Sequence, residues 1–371
     1  MRRSYRLIMG ILAAVFCMIF LPGCGNMEAE QPGEEAGEDN IRIGLSFDSF
    51  IIERWQRDRD AFVARASGEL GAEVNVQCAN GDVEEQIAQI EYLIEKEMDV
   101  IVIVAVDSAR LSEPVKKAKR AGIKVIAYDR LIMDADVDLY ITFDNERVGE
   151  MMAEAIIART PEEGKIFMMC GSPDDNNVSL VMDGFHNMID PTDREIVETA
   201  YADNWLAEVG FSTVSEFLDS GQEADAYMCG NDDIASQVIR ALSERRMAGE
   251  VCVVGQDADL GACQRVVEGT QAMTVYKPVE KLARRAAECA VTLAKGEEFK
   301  TAGTFFDGTQ EVPYIGLEPV AVTAANMDVI IDDGFHLRED IYLNVGGESP
   351  VTVQKTGNDT TISIQSPDDT Q

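Results

Sequence analysis

The chain has 371 residues, 46% of them apolar, enough to bury one or two sizeable cores. Asp and Glu number 67 against 32 Lys and Arg, for a formal net charge of −35. Such a surface repels nucleic acid, which needs clustered Lys and Arg, and it repels anionic lipid headgroups too.

The chain opens on Met1 to Arg6, with three Arg and no acid. Leu7 to Leu21 follows, an almost wholly apolar run of about 15 residues, short of the ~20 that span a bilayer. A basic start, a short apolar core and small residues at its end predict an export signal over residues 1–23. Leu21-Pro22-Gly23-Cys24 resembles the lipobox of bacterial lipoproteins. That resemblance implies lipid on Cys24 and a protein tethered outside the cytoplasmic membrane, with lipid rather than charge supplying the attachment. Residues 24–40 hold six acids and no base, and read as a disordered spacer.

From Ile41 onward, short β-branched runs alternate with amphipathic stretches. The predicted strands are Ile41–Phe47, Glu73–Cys78, Val100–Val106, Lys124–Ala127, Ile141–Phe143, Lys165–Cys170, Ile196–Tyr201, Ala224–Met228 and Val251–Gly255. Helices are predicted at Glu84–Lys96, Glu146–Arg159, Trp205–Leu218 and Ile234–Met247. Alternating strand and helix predicts the α/β class, with parallel sheets covered on both faces. So many units exceed one ordinary sheet and predict two doubly wound lobes. Residues 343–371 read as a poorly ordered tail, with room for a stray strand at Val351–Val353 or Ile362–Ile364.

Of eight Cys, Cys17 leaves with the leader and Cys24 is the lipid site. Cys78, Cys170, Cys229, Cys252, Cys263 and Cys289 have no CxxC spacing and mostly sit in apolar runs. They read as buried free thiols, with a single disulfide as the alternative, and not as a zinc site or a disulfide framework.

Ligands of open α/β sheets bind beyond the strand C-termini. Here those positions carry Arg54-Trp55, Tyr128-Asp129-Arg130, Asp144-Asn145, Asp174-Asp175-Asn176-Asn177, Asp203-Asn204-Trp205, Asn231-Asp232-Asp233, Gln256-Asp257 and Tyr276-Lys277. Asp accepts hydrogen bonds from a sugar hydroxyl, Arg and Lys donate to it, and Asn does either. Flat aromatics cover the C–H faces of a sugar ring. The two Trp of the chain, Trp55 and Trp205, both fall at strand-to-helix junctions, where two indoles would sandwich one ring. Taken singly, each Asp or Asn is an ordinary helix cap and each Trp an ordinary core residue. Their coincidence at so many strand ends points to a ligand.

The runs Glu53-Arg54-Trp55-Gln56-Arg57-Asp58, Ala127-Tyr128-Asp129-Arg130, Phe143-Asp144-Asn145, Gly171-Ser172-Pro173, Gly255-Gln256-Asp257-Ala258-Asp259 and Tyr276-Lys277-Pro278 resemble the periplasmic sugar-binding proteins of ABC importers, from about Ile41 to Arg338. The resemblance implies the type I periplasmic binding protein fold, two lobes joined by a three-strand hinge. One lobe would hold 41–144 plus 277–306, the other 146–276 plus 311–342. It implies sugar contacts from Arg54, Asp129, Arg130, Asp175, Asn177, Asn231, Asp257 and Lys277, with Trp55 and Trp205 stacking on the ring. It also implies hinge closure on one monosaccharide, D-xylose first and glucose, galactose or arabinose as alternatives. Its partners would be the transmembrane subunits of an ABC permease, and the receptor would be a monomer. A sensor role toward a chemoreceptor or kinase is the competing use. Ala202-Asp203-Asn204 before Trp205, and Cys229-Gly230 before Asn231, depart from the family pattern near the pocket and bear on sugar selectivity.

No catalytic residue, metal or cofactor is expected. There are two His, and no HExxH, GxSxG or P-loop pattern. Asp134-Ala135-Asp136-Val137-Asp138 imitates a calcium loop but lacks its Gly and final Glu. The clustered carboxylates sit beside Arg and Lys, which should keep them ionised for binding rather than proton donation. Repressors of related fold share the two lobes, but the export signal and charge exclude that use.

Overall fold

The computed structural model describes residues 40–51 and 54–345, and the backbone of 351–356 and 359–364. The expected export signal, the lipid site Cys24 and all but the last residue of the acidic spacer lie outside the described residues.

The first lobe opens with β1 (Arg42–Phe47), α1 (Arg54–Val63), β2 (Glu73–Cys78), α2 (Val83–Glu95), β3 (Val100–Ile103), α3 (Ser112–Arg120), β4 (Lys124–Tyr128) and β5 (Leu139–Phe143). The second follows with α4 (Asn145–Ile157), β6 (Lys165–Cys170), α5 (Asn176–Ile189), β7 (Glu195–Tyr201), α6 (Glu208–Asp219), β8 (Ala226–Cys229), α7 (Asp232–Ser243), β9 (Cys252–Gln256), α8 (Leu260–Glu268) and β10 (Met273–Tyr276). The chain then returns through α9 (Val279–Ala294), β11 (Gly303–Phe306) and β12 (Glu311–Leu317), and crosses again to β13 (Val320–Val322), α10 (Asp328–Asp332) and α11 (Arg338–Ile341).

Period-two alternation makes each strand two-faced. Ile43, Leu45, Val100 and Val102 pack toward α1 and α9, while Ile101, Ile103, Val125 and Ala127 pack toward α2 and α3. The second sheet repeats the plan. Ile166, Met168 and Val254 face α4 and α5, and Phe167, Met169 and Val253 face α6 and α7. Both sheets are therefore buried on both sides, as parallel sheets require.

The sheet orders are β11-β12-β5-β4-β3-β1-β2 and β13-β10-β9-β8-β6-β7. Pairing is parallel except at one edge of each, where β11 opposes β12 and β13 opposes β10. The sheets are thus mixed rather than purely parallel. Four residues join β11 to β12, too few for a parallel crossover.

The chain passes between lobes after β5, after β10 and after β12. The third passage corrects the expected boundary. Residues 311–317 pair with β5, Tyr314 opposite Tyr140, and belong to the first lobe, so the crossing falls at Glu318-Pro319 rather than before 311. Two other expectations change. Trp205 precedes α6 in a left-handed turn instead of starting a helix, and the strand predicted over Val100–Val106 ends at Ile103. In the expected poorly ordered tail, β14 (Val351–Thr356) and β15 (Asp359–Ile364) form an antiparallel hairpin.

Helices α4 and α5 touch through glycine. A β-carbon on Gly149 would lie 2.0 Å from the Val181 carbonyl oxygen, and one on Gly184 1.9 Å from that of Glu146. Their contact packs the first turns of α4 against the middle of α5.

All six cysteines of the described residues are free thiols, five buried and Cys78 half-buried. Asp134, Asp136 and Asp138 each pair with a lysine, Lys116, Lys119 and Lys124 respectively.

Candidate functional site

The C-terminal ends of the two sheets face one cavity, lined by Arg54, Trp55, Asp129, Arg130, Asn145, Asp175, Asn177, Trp205, Asn231, Gln256, Asp257 and Lys277. All ten residues singled out from the sequence line it. Arg54 and Trp55 open α1, and Asp129 and Arg130 follow β4. Asp175 and Asn177 follow β6, Trp205 follows β7 and Asn231 follows β8. Asp257 and Lys277 come after β9 and β10. Asn145 and Gln256 are additional. The sequence shows Asn145 as the first helical residue after a capping Asp144, and Gln256 as a strand residue, so neither stands out. Their place at a strand end, Asn145 two residues after β5 and Gln256 the last residue of β9, is the signal that marks them.

The charges are matched across the lobes. Arg54 Nη2 donates to Asp129 Oδ2 at 2.8 Å and its Nη1 lies 3.9 Å from Asp257 Oδ1. Arg130 lies 2.7 Å from Asp175 Oδ2 and 2.8 Å from Asp48 Oδ2. Lys277 Nζ reaches Asp257 Oδ1 at 2.6 Å and donates to Gln256 Oε1 at 2.9 Å. Asn177 Nδ2 donates to the Asp129 carbonyl oxygen at 3.0 Å, and Tyr140 donates to Asn177 Oδ1 at 3.2 Å. Behind Arg54, Asp58 accepts from it at 3.4 Å and from the Tyr128 hydroxyl.

Burial would raise the Asp129 carboxyl, but Arg54, Lys277 and Arg130 outweigh it and hold the group below its ordinary range. Asp175 goes the other way. Its burial exceeds the pull of Arg130 and leaves its carboxyl raised. The cationic neighbours therefore outweigh burial at Asp129 and only partly offset it at Asp175. Burial likewise lifts Asp58 to about 6, against Arg54 and the Tyr128 hydrogen bond.

Two aromatic walls complete the cavity. The Arg54 guanidinium lies 4.3 Å from the Trp55 ring centroid, and that of Arg130 at 5.5 Å. Trp205 lies over Gly171, where a β-carbon would come within 2.2 Å of the ring. Among the described residues neither buried indole nitrogen has a partner. An unsatisfied buried donor costs roughly 1–3 kcal/mol, so both favour a bound acceptor.

The backbone at the site is unusual. Asp129 (φ 64°), Trp205 (φ 58°), Asp257 (φ 98°) and Ala258 (φ 56°) are left-handed without being glycine. Such residues cost on the order of 1–3 kcal/mol each and persist where surrounding contacts over-determine them. Here Asp129 N–H donates to Ile141 at 2.7 Å, Trp205 N–H to Ala202 at 2.9 Å and Asp257 N–H to Val275 at 2.9 Å.

Residues 43–298 match the family profile described as periplasmic binding protein domain. The D-xylose-binding periplasmic protein of Haemophilus influenzae is 45% identical over 313 residues, which span 83% of this chain and 94% of that protein. The D-xylose-binding periplasmic protein of Escherichia coli is 44% identical over 307 residues, 81% of this chain and 92% of that one. The crystal structure of an ABC transporter solute binding protein from Clostridium phytofermentans with bound β-D-glucose superposes with a TM-score of 0.74 at 28% identity, over 81% of this chain and 99% of that chain.

Proposed function

Because the chain belongs to the periplasmic and extracytoplasmic sugar-binding proteins of ABC importers, we propose that it captures one monosaccharide, D-xylose foremost, between its lobes and presents it to a membrane permease. The observation that carries this reading is the single cavity with carboxylates, amides, cations and two indoles from both lobes. Carboxylates accept from sugar hydroxyls and Arg130, Arg54 and Lys277 donate to them, as charge-assisted bonds stronger than neutral ones. Trp55 on the first lobe and Trp205 on the second offer flat apolar walls to the two ring faces. D-xylose is favoured over other aldoses by the two relatives above 40% identity.

The mechanism is hinge closure. Three strand crossings let the lobes part, and a sugar that contacts both lobes stabilises the closed form by its differential affinity for it. Asn177 to Asp129 and Arg130 to Asp175 are contacts that form only when the lobes meet. An epimer with one hydroxyl misplaced leaves a buried partner unsatisfied, at roughly 1–3 kcal/mol. Leu21-Pro22-Gly23-Cys24 supports a lipid tether at Cys24, which would keep a monomeric receptor close to its permease. The family binds solutes rather than transforming them.

A thermal-shift screen of monosaccharides tests the reading, because a ligand of the folded state alone raises the melting temperature. D-xylose is expected to give the largest rise. A larger rise with glucose, galactose or arabinose would reassign the sugar, and no rise with any of them would refute monosaccharide capture.

A further inference from the structure

Asp232 is a buried carboxylate that the sugar site, as described, does not use. It is the first residue of α7, directly after Asn231, whose own side chain caps the helix by accepting from Ile234 N–H at 2.9 Å. The Asp232 side chain turns instead toward the loop after β9. Its Oδ2 accepts from the Thr274 hydroxyl at 2.7 Å and from Asp259 N–H at 3.2 Å, and its Oδ1 accepts from Gln271 Nε2 at 2.7 Å. Thr274 Oγ1 in turn accepts from Ala258 N–H at 3.1 Å. The other end of the Ala258 peptide is held as well, its carbonyl oxygen 2.8 Å from His336 Nε2.

The turn so held is the strained one. Asp257 and Ala258 both have positive φ, and it is this turn that brings Asp257 to Lys277 and Arg54. Only glycine at 255 allows the approach, because a β-carbon there would lie 2.3 Å from Asp232 Oδ1. The charge is also expensive. Arg265 donates to the Asp232 main-chain oxygen at 3.1 Å and to Gln271 at 3.0 Å, while the hydrogen bonds to the carboxylate itself come from neutral groups, Thr274, Gln271 and Asp259 N–H. A neutral side chain would cost less to bury, unless the position needs an acceptor for several donors at once.

We propose that Asp232 is a positioning residue for the sugar site: through Thr274 and Asp259 its carboxylate holds the left-handed turn that aims Asp257 into the cavity. The inference rests on the sugar-receptor reading. It makes the α7 N-terminus a two-sided device, with Asn231 facing the cavity and Asp232 fixing the neighbouring loop.

Calorimetric titration of D-xylose at pH 8 into the wild type, Asp232→Asn, Thr274→Val and Thr274→Ser tests it, with melting temperatures measured in parallel. Asp232→Asn and Thr274→Val are expected to weaken binding by about tenfold or more, the loss associated with an unsatisfied buried group. Thr274→Ser keeps the hydroxyl and is expected to bind close to wild type. Rescue by serine separates positioning from packing, and Thr274→Val keeps the test open should Asp232→Asn fail to fold. Wild-type affinity in both Asp232→Asn and Thr274→Val, or a serine variant as weak as the valine one, would overturn the inference while leaving the receptor reading intact. No heat from the wild type with any monosaccharide would overturn both.

Discussion

Arg130 of the first lobe and Asp175 of the second stand 2.7 Å apart, guanidinium Nε to carboxylate Oδ2, both buried. Arg130 follows β4 and Asp175 caps α5, accepting from Asn177 N–H at 2.9 Å. One ion pair therefore ties the two sheets together at the rim of the cavity, and Asp48 holds the guanidinium from its other side.

Removing one partner of a buried pair leaves an uncompensated charge, at a cost of about 3–5 kcal/mol. Arg130→Met is therefore expected to lower the melting temperature and to weaken sugar binding. In Arg130→Met/Asp175→Asn much of the melting temperature should return but the affinity should not, because both side chains are proposed to contact the ligand. Thermal denaturation and calorimetry on the three proteins check this. Recovery of affinity in the double variant would show that the pair serves closure alone.

Gly171 gives a second prediction. With a β-carbon 2.2 Å from the ring, Gly171→Ala has to displace Trp205 from the cavity wall. A lost aromatic wall is expected to weaken binding by about tenfold, counting the area that the ring buries. In a Trp55→Phe background Trp205 is the remaining Trp of the chain, so its fluorescence reports the site directly. Sugar should change that fluorescence in Trp55→Phe, and the change should vanish on adding Gly171→Ala. An undiminished response would place Trp205 away from the sugar.

Much of the site was legible in the sequence, and the reason is topological. In a parallel sheet the residue after each strand lies at one edge, so chain order groups Asp175, Asn231 and Asp257 on the second sheet and places Asp129 at the same edge of the first. The parts that escaped depend on long-range pairing or on backbone strain. Nothing local says that Glu311–Leu317 pairs with β5 across about 170 residues of chain, a contact that loop-closure entropy alone does not discourage. The stretch from Trp205 to Leu218 has helical patterning, yet Asn204 and Trp205 take positive φ and delay the helix to Glu208. The raised carboxyl of Asp175 depends on complete burial, which no spacing of charges reveals.

Stability should fall as pH rises through neutrality. Burial raises Asp58 to about 6 and Asp232 to about 7, so the folded protein holds protons that the unfolded chain releases. That contribution is full below the ordinary carboxylate range and is lost as pH climbs through the folded values. At the acid end Asp307 acts oppositely. Although burial works against it, backbone N–H groups of Asp136, Thr309 and Gln310 hold it down to about 2, so its contribution fades only as pH falls that far. The melting temperature is therefore expected to be higher near pH 5 than near pH 8, by an amount on the order of a few kcal/mol in stability. Asp232→Asn should flatten this profile, and an equal slope in that variant would remove Asp232 as its source.

One monosaccharide is proposed to sit between the lobes on Asp257 and its neighbours. Calorimetric titration of D-xylose into the wild type and into Asp257→Ala tests it most directly. Saturable binding of one sugar per chain is expected, weakened by about tenfold or more in the variant. Absence of binding in the wild type, or equal affinity in the two proteins, would contradict it.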